Sequence, residues 1–439
     1  MLLTDKKHCW HPYTQHFRQS PPLLLKKAKG IFLELEDGRK IIDGSSSWWV
    51  NTIGHGRPEI AAAIKKQQQE LDHVIFAGAT HAPAIYLAKK IITLADSHLS
   101  KVFFSDNGST AVEVGLKMAF QKFVNRGELG RTKFLGFKGS YHGDTLGAMS
   151  VGKSDGFHGM FKPLLFETIW AEPATMHKSV YCPNGELDLK DKIADLKALL
   201  EKHHNELAGI IIEPLVQGAG GMLVQPFSFL EAVQKMANQF DLPLIFDEVF
   251  TGLGRVGASF AFKRASLKPD IVCIAKGLTG GNLPLALTLT HDGIFEHFLD
   301  ESKTKALLHG HSYTANPISC SAALATLDIV HNENLIEKSQ DIEKHFSSWL
   351  SSEGKKLNLE NPRCIGAILA FELPGSGFGD YFSHRANNFT RIALKNGLML
   401  RTLGNTVYFV PPLTISKDEC TYALTQISHT LQELHKEAR

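Results

Sequence analysis

The chain has 439 residues, of which 43% are hydrophobic and 21% are charged, as is usual for a soluble globular protein. Its formal net charge of +2 gives no electrostatic reason to expect nucleic acid or a membrane surface as a partner. No apolar run approaches the roughly 18–20 residues of a membrane span. The six cysteines are far apart and form no CxxC pair, and the N-terminus lacks the apolar stretch of a signal peptide, so a reducing cytoplasm fits best.

The N-terminal half of the chain predicts a hairpin, then helices, then alternating strands and helices. Two strands within residues 30–44 flank an Asp37-Gly38 turn. Pro58 begins a helix that we expect to run to about Asp72, and a second helix covers residues 81–96. From residue 101 onward, several strands are continuously apolar, as buried parallel strands are. This pattern predicts an α/β fold with a doubly wound, mainly parallel sheet.

The C-terminal part of the chain predicts a smaller α+β region. A helix is expected over residues 316–334, a pair of strands over 398–403 and 406–412, and a last helix from about Cys420. We expect the N-terminal hairpin to pack with this region. The predicted organisation is therefore an N-terminal segment of the small domain (1–55), a large domain (56–325) and the C-terminal part of the small domain (326–439).

The most informative single residue is Lys276, in the stretch DIVCIAKGLTGG (270–281). Open α/β sheets bind ligands at the carboxyl ends of their strands. A lysine there is either a snorkelling surface side chain or a partly desolvated amine that attacks an aldehyde. Asp247 ends an earlier apolar strand, where it either caps a helix, forms a salt bridge or keeps a heterocyclic nitrogen protonated. Glu248 and Arg255 could pair with each other nearby, and a structural salt bridge is a more ordinary role for this arginine than substrate binding.

Two loops after other predicted strands offer further site residues. Gly108 and Ser109 stand where a helix begins, and the free N–H groups of a helix start favour a phosphate. The alternative is an ordinary N-cap, for which the sequence offers Asp106 or Ser109. Tyr141 follows another strand and either covers the face of a flat cofactor or is simply a buried aromatic residue.

Metal and dinucleotide sites are not expected. His309 and His311 have no carboxylate or cysteine companion at ligand spacing. The chain contains neither a GxGxxG fingerprint nor a Walker A loop.

The stretch IFDEVFTGLGRVG, followed by DIVCIAKGLTGG, resembles the signature of the class III (ω-amino acid) aminotransferases. The residues in register are Asp247, Glu248, Gly252, Arg255, Asp270, Lys276, Gly280 and Gly281. The resemblance covers essentially the whole chain. It implies an aspartate aminotransferase-like fold (fold type I), pyridoxal 5′-phosphate (PLP) as cofactor, and a homodimer whose active sites are shared between subunits. It further implies that Lys276 binds PLP covalently and that Asp247 is the partner of its ring nitrogen.

The same resemblance implies the roles of the remaining site residues. The cofactor would also be held by Gly108, Ser109, Tyr141, His311 and Ser312. The substrates would be bound by Tyr13, Trp48, Tyr141, Lys276, Gly310 and Arg401.

Additional motifs resemble one group within the class. They are HPYTQ (11–15), DGSSSWW (43–49), THAPAI (80–85), GSYHGDT (139–145), EPLVQGAGGM (213–222) and LRTLG (400–404). This likeness implies a small-molecule keto acid with an apolar chain as the amino acceptor. Members of the group commonly have a Pro-Thr pair where this chain has His311-Ser312, which leaves the amino donor open between S-adenosylmethionine and lysine. Other class III transaminases, an aminomutase and a non-catalytic PLP-binding regulator are the competing interpretations.

Overall fold

The computed structural model describes residues 1–17, 21–95, 98–153, 158–179, 182, 184–373 and 384–437. The strands are β1 (Leu25–Lys29), β2 (Phe32–Leu35), β3 (Lys40–Asp43), β4 (Lys101–Ser105), β5 (Lys133–Phe137), β6 (Thr168–Ala171), β7 (Leu207–Ile212), β8 (Val216–Gln217), β9 (Leu223–Val224), β10 (Leu244–Asp247), β11 (Ile271–Ile274), β12 (Ala286–Thr290), β13 (Glu360–Ile365), β14 (Ile368–Glu372), β15 (Leu398–Met399), β16 (Thr402–Leu403) and β17 (Thr406–Phe409).

The α-helices are α1 (Leu2–His8), α2 (Pro58–Glu70), α3 (Ala82–Ala95), α4 (Gly108–Asn125), α5 (Leu146–Val151), α6 (Leu189–His203), α7 (Phe227–Gln239), α8 (Ala261–Arg264), α9 (Asp292–Phe295), α10 (Pro317–Asn332), α11 (Leu335–Trp349), α12 (His384–Lys395) and α13 (Lys417–Glu437). An irregular turn spans Ser46–Trp49, and a short 3₁₀ turn spans Lys276–Thr279.

A seven-stranded sheet in the order β4-β12-β11-β10-β7-β5-β6 forms the centre of the fold. Strand β12 runs antiparallel to both of its neighbours, and the other paired strands are parallel. Every residue of β7, β10 and β11 is buried, because helices cover a parallel sheet on both faces. The prediction of a mainly parallel α/β sheet is therefore confirmed.

Three neighbouring strands of this sheet direct their carboxyl ends toward one place. β7, β10 and β11 are adjacent and parallel, and Asp247 at the end of β10 is in register with Cys273 of β11. Glu213 follows β7 directly, and Lys276 comes three positions after Cys273. The fold thus brings a lysine and two carboxylates, far apart in the sequence, to the same edge of the sheet.

The N-terminal hairpin is joined to the C-terminal region by strand pairing. β1, β2, β3 and β15 form one four-stranded sheet, and β13, β14, β17 and β16 form another. The prediction of a single strand over residues 398–403 was wrong, because β15 pairs with β3 whereas β16 pairs with β17. The Gly44 amide donates to the Met399 carbonyl at 3.0 Å, and Arg401 lies in the crossing between the two sheets.

Helix α10 connects the two parts of the molecule. Its residues Ala323 and Leu327 pack in the core around the central sheet, whereas Ala322 and Ile329 pack with the C-terminal elements. The domain boundary expected at residue 325 lies inside this continuous helix, and the division at residues 55 and 325 stays a prediction. In the part of the chain that the structure describes, no helix has both the length and the apolar character needed to cross a membrane.

Candidate active site

A cavity of about 760 Å³ opens where the central strands end. It brings together eight of the site residues predicted from the sequence, namely Tyr13, Trp48, Gly108, Ser109, Tyr141, Asp247, Lys276 and Arg401. The other three, Gly310, His311 and Ser312, do not line it.

Lys276 occupies a constrained position at the base of the cavity. Its φ of 45° lies in the left-handed region, which costs a residue other than glycine on the order of 1 kcal/mol. Its Nζ lies 4.6 Å from the centre of the Trp49 ring and 5.6 Å from that of Phe250. Burial lowers the pKa of Lys276 to about 8, against the opposing charges of Asp247 and Glu213. A usable fraction of the amine is therefore neutral, and nucleophilic, near neutral pH.

Asp247 is held rigidly beside this lysine. Its Oδ1 accepts a hydrogen bond from the Val249 amide at 3.0 Å, and its Oδ2 lies 2.8 Å from Nδ1 of His142. Both side chains are buried, and Nε2 of His142 has no hydrogen-bond partner among the described residues. A buried, oriented carboxylate of this kind suits a partner that carries a protonated ring nitrogen.

Glu213 is a third ionisable group at the same edge of the sheet. Its carboxylate accepts hydrogen bonds from the amides of Tyr141 at 3.1 Å and Gly218 at 2.9 Å. Burial raises the pKa of Glu213 to about 7; the charge of Asp247 adds to this effect and His142 opposes it. Our sequence reasoning assigned no site role to Glu213 or His142, although both lie in motifs that follow apolar strands.

The start of helix α4 is capped by Asn107. Its side chain accepts from the Thr110 amide at 3.1 Å, and Thr110 Oγ1 accepts from the Asn107 amide at 3.2 Å, which completes a capping box. The prediction of Asp106 or Ser109 as the cap was wrong, because Asn107 is the last residue with extended backbone before the helix. The capping box satisfies the Thr110 amide, and the first turn of a helix leaves its amides without intrahelical partners. The backbone amides of Gly108 and Ser109 are therefore suited to bind an anion such as a phosphate.

A glycine loop packs closely against this helix start. Ser109 Oγ lies 2.7 Å from Thr145 Oγ1 and accepts from the Thr145 amide at 3.0 Å. At Gly143, whose φ is 123°, a β-carbon would lie 2.4 Å from the β-carbon of Ser109. Only glycine allows the backbone this approach. The loop that carries Tyr141 is therefore fixed against the helix start.

Aromatic and charged side chains line the mouth of the cavity. Arg401 Cζ lies 4.3 Å from the centre of the Trp48 ring, a cation–π contact. The Tyr13 ring meets Trp48 edge-on at 5.6 Å, and the Tyr13 hydroxyl donates to Asp144 Oδ2 at 2.6 Å. These contacts place aromatic faces beside the Arg401 guanidinium and the Asp144 carboxylate.

The segment Gly310–Ser312 lies outside the cavity. The His311 amide donates to Thr314 Oγ1 at 3.1 Å, and the Ser312 carbonyl lies 2.6 Å from Nε2 of His73. The roles of His311 and Ser312 in cofactor binding and of Gly310 in substrate binding stay predictions, and the resemblance implies that this segment serves the partner subunit's site. Across the described ranges, no group of three or more His, Cys, Asp or Glu side chains is placed to hold a metal ion.

Glu248 and Arg255 do not pair as expected. The Glu248 carboxylate accepts from the amides of Ala261 at 2.6 Å and Phe262 at 2.9 Å, at the start of α8. Arg255 Nη1 donates to the Pro411 carbonyl at 2.6 Å. Both side chains are buried, and most of their hydrogen bonds go to backbone groups rather than to each other.

Comparison with known proteins identifies the family of this chain. The model of the family "Aminotransferase class-III" matches residues 13–431. An adenosylmethionine-8-amino-7-oxononanoate aminotransferase of Methanocaldococcus jannaschii is 40% identical over 98% of this chain and 97% of the relative, and one of Geobacter sulfurreducens is 39% identical over 97% and 96%.

Solved structures show the same likeness. A crystal structure of the M. jannaschii protein superposes with a TM-score of 0.89, at 40% identity over 98% of both chains. An amine transaminase from an uncultivated Pseudomonas species, in its PLP-bound form, gives a TM-score of 0.92 at 29% identity over 97% of this chain and 98% of the other. The fold prediction is confirmed, and the chain belongs to the class III aminotransferase family.

Proposed function

We propose that this aminotransferase uses PLP to move an amino group from S-adenosylmethionine to 8-amino-7-oxononanoate, which gives the 7,8-diaminononanoate of biotin biosynthesis. The observation that carries the proposal is the placement of Lys276 and Asp247 at the ends of adjacent strands in one cavity. The names of the relatives supply the substrate pair.

The residues of the cavity fit the chemical groups of PLP. The amides of Gly108 and Ser109 suit its phosphate, the Asp247 carboxylate suits its ring nitrogen, and the Lys276 amine suits its aldehyde. When bound, PLP would supply an aldehyde that reacts with amines and a protonated ring that withdraws electrons from the substrate carbon.

Lys276 carries both covalent and proton-transfer roles in this proposal. Its Nζ would hold the cofactor, and the same amine would move a proton at the donor carbon. The lowered pKa of Lys276 makes Nζ a base and an acid near neutral pH. Asp247, oriented by His142 and the Val249 amide, would keep the ring nitrogen of the cofactor protonated.

The mouth of the cavity suits the proposed acceptor, which has an apolar chain that ends in a carboxylate. Trp48 and Tyr13 offer aromatic faces to the chain. Arg401, stacked on Trp48, offers a planar fork of N–H donors to the carboxylate. Tyr141 also lines the cavity, where its ring would lie against the cofactor and the substrate.

A homodimer completes the proposal. The segment Gly310–Ser312 lies outside the cavity of its own chain, and Leu308 and Tyr313 beside it expose 81% and 66% of their surface. We infer that the partner subunit's Ser312 adds a hydroxyl to the phosphate site. The six unpaired cysteines support a cytoplasmic location, where thiols stay reduced.

A donor screen tests the reaction. Purified holoenzyme is given 8-amino-7-oxononanoate with S-adenosylmethionine, lysine, ornithine or γ-aminobutyrate as the single donor, and 7,8-diaminononanoate is quantified. We expect S-adenosylmethionine to support turnover. Lysine is the second candidate, because His311-Ser312 stands where the group commonly has Pro-Thr. The absence of the diamine with every donor, together with turnover of other ketones, would contradict the proposed acceptor.

A further inference from the structure

A buried histidine lies behind the carboxylate at the mouth of the cavity. His158 is 5% exposed and does not line the cavity itself. Its Nε2 faces Asp144 Oδ1 at 3.7 Å. The side chain of Asp144 is 52% exposed and does line the cavity, so His158 reaches the substrate region only through Asp144 and its neighbours.

Two contacts fix the imidazole of His158. Its Nδ1 lies 3.4 Å from the Gly152 carbonyl, and its ring stacks on the Tyr141 ring with the centres 5.6 Å apart and the planes 30° apart. Because Nδ1 donates its proton to the Gly152 carbonyl, Nε2 faces Asp144 with a lone pair in the neutral ring and with an N–H in the imidazolium, and the imidazolium is the form that can hold the carboxylate. Nε2 is buried and has no hydrogen-bond partner among the described residues. A movement of about 1 Å would bring it within hydrogen-bond distance of the carboxylate.

The surroundings keep Asp144 ionised. Burial raises the pKa of Asp144, but the neighbouring His158, Tyr13 and Tyr141 side chains outweigh that effect, and the pKa lies below its usual value. The Tyr13 hydroxyl donates a hydrogen bond to Oδ2 of Asp144, and Nε2 of His158 lies 3.7 Å from Oδ1. A carboxylate held ionised from two sides at the mouth of a cavity is a partner for a cationic amine.

We propose that His158 is a positioning residue for the amine of the substrate, which acts by orienting Asp144 toward the cavity and maintaining its charge. The inference rests on the proposed function, because 8-amino-7-oxononanoate carries an amino group next to its ketone. Asp144 contacts the substrate ammonium, and His158 acts only through Asp144 and the stacked Tyr141 ring. The residue therefore contributes to the choice between ketones with and without an amine.

The test compares two ketones on holoenzyme, 8-amino-7-oxononanoate and the matched 7-oxononanoate, which lacks the amine. Binding of each ketone is measured by calorimetry without a donor, and KM and kcat are measured with the donor. His158→Phe keeps a ring against Tyr141 but removes both nitrogens. For the amino ketone, we expect this variant to raise Kd and KM about tenfold and to change kcat less than about threefold. For 7-oxononanoate, Kd and KM should stay within about twofold of the wild-type values. His158→Gln restores an N–H near Asp144 and should recover most of the loss.

The outcomes separate the roles. If His158→Phe and His158→Gln lose affinity equally for both ketones, His158 is purely structural and the inference is overturned. An unchanged affinity for both ketones would overturn it as well. Wild-type enzyme that binds the two ketones equally would also overturn it. Wild-type enzyme that prefers the amino ketone in binding but fails to turn it over would contradict the proposed function and leave the positioning role supported. Cofactor absorbance and Tm confirm that each variant is folded and loaded.

Discussion

The Nζ of Lys276 lies 4.6 Å from the centre of the Trp49 ring. An aromatic face thus covers an amine that would otherwise be in water, and two carboxylates, Asp247 and Glu213, compensate only part of the desolvation. The pKa of Lys276 falls to about 8 as a result. A lysine at the end of an apolar strand is therefore costly to the fold and useful as a nucleophile.

This cost predicts a stabilising substitution. The pKa of Lys276 is lower in the folded than in the unfolded protein, so between about pH 8 and 10.4 the unfolded state binds more protons and stability rises with pH. At pH 7, cofactor-free Lys276→Met should have a free energy of unfolding about 1–3 kcal/mol above wild type, with the gap narrowing toward pH 10. Chemical denaturation at several pH values measures this difference. Lys65→Met, at an exposed lysine, is the control. If the difference in free energy of unfolding between Lys276→Met and wild type does not vary with pH, Lys276 is not a buried amine with a lowered pKa.

Glu213 predicts the opposite dependence on pH. Its pKa is raised to about 7, so the folded state binds more protons than the unfolded state between about pH 4.5 and 7, and this group destabilises the protein as the pH rises through that window. Glu213→Gln should therefore flatten the decline of Tm from pH 5 to pH 7. At pH 5 the wild-type side chain is itself a neutral acid, so the neutral amide should change the stability little there. A variant with the wild-type slope would exclude Glu213 as the titrating group.

Features of the fold that depend on a local sequence pattern were predicted correctly. The apolar runs of β7, β10 and β11 predicted buried parallel strands, and the ends of the last two supplied Asp247 and Lys276. Pro58 correctly marked the start of α2. These features are encoded within a few residues of each other, so no distant partner is needed to recognise them.

Other features depend on distant parts of the chain and escaped prediction. The stretch 398–403 divides between two sheets because β3, more than 350 positions earlier, pairs with β15. The cover of Lys276 by Trp49 and the contact of His142 with Asp247 are likewise tertiary contacts. The position of Ser312 outside the cavity could not be derived from spacing, because it depends on how the chain folds around His73.

Asp247→Asn should leave the cofactor bound and impair turnover severely. The amide oxygen can still accept from the Val249 amide, so the fold is kept. A neutral amide cannot hold a ring nitrogen protonated, and we expect kcat to fall by about 100-fold or more, which corresponds to about 2.7 kcal/mol in the barrier. Single-turnover kinetics with the donor alone measure this step. Activity within about tenfold of wild type would remove Asp247 from the role of ring partner.

Arg401→Ala should weaken the keto acid half-reaction and spare cofactor binding. The guanidinium stacks on Trp48 at the mouth of the cavity, and its loss should cost about 1.5–3 kcal/mol, as for a hydrogen bond to a charged group. The acid and its methyl ester are compared on both proteins, with Arg401→Lys as a control that keeps the charge but not the planar fork. Wild type should strongly prefer the acid and the alanine variant should not. An equal preference in the two proteins would exclude Arg401 from carboxylate binding.

The identity of the lysine that binds the cofactor is the central claim, and chemical trapping tests it most directly. We expect the purified protein to be yellow, to lose that colour on borohydride reduction, and to yield one modified peptide on digestion, with the pyridoxyl group on Lys276. Lys276→Ala should remain folded, show no such adduct and lack transamination, because the covalent anchor and the proton carrier are lost together. A pyridoxyl group on any other lysine, with the Lys276 peptide unmodified, would contradict the account.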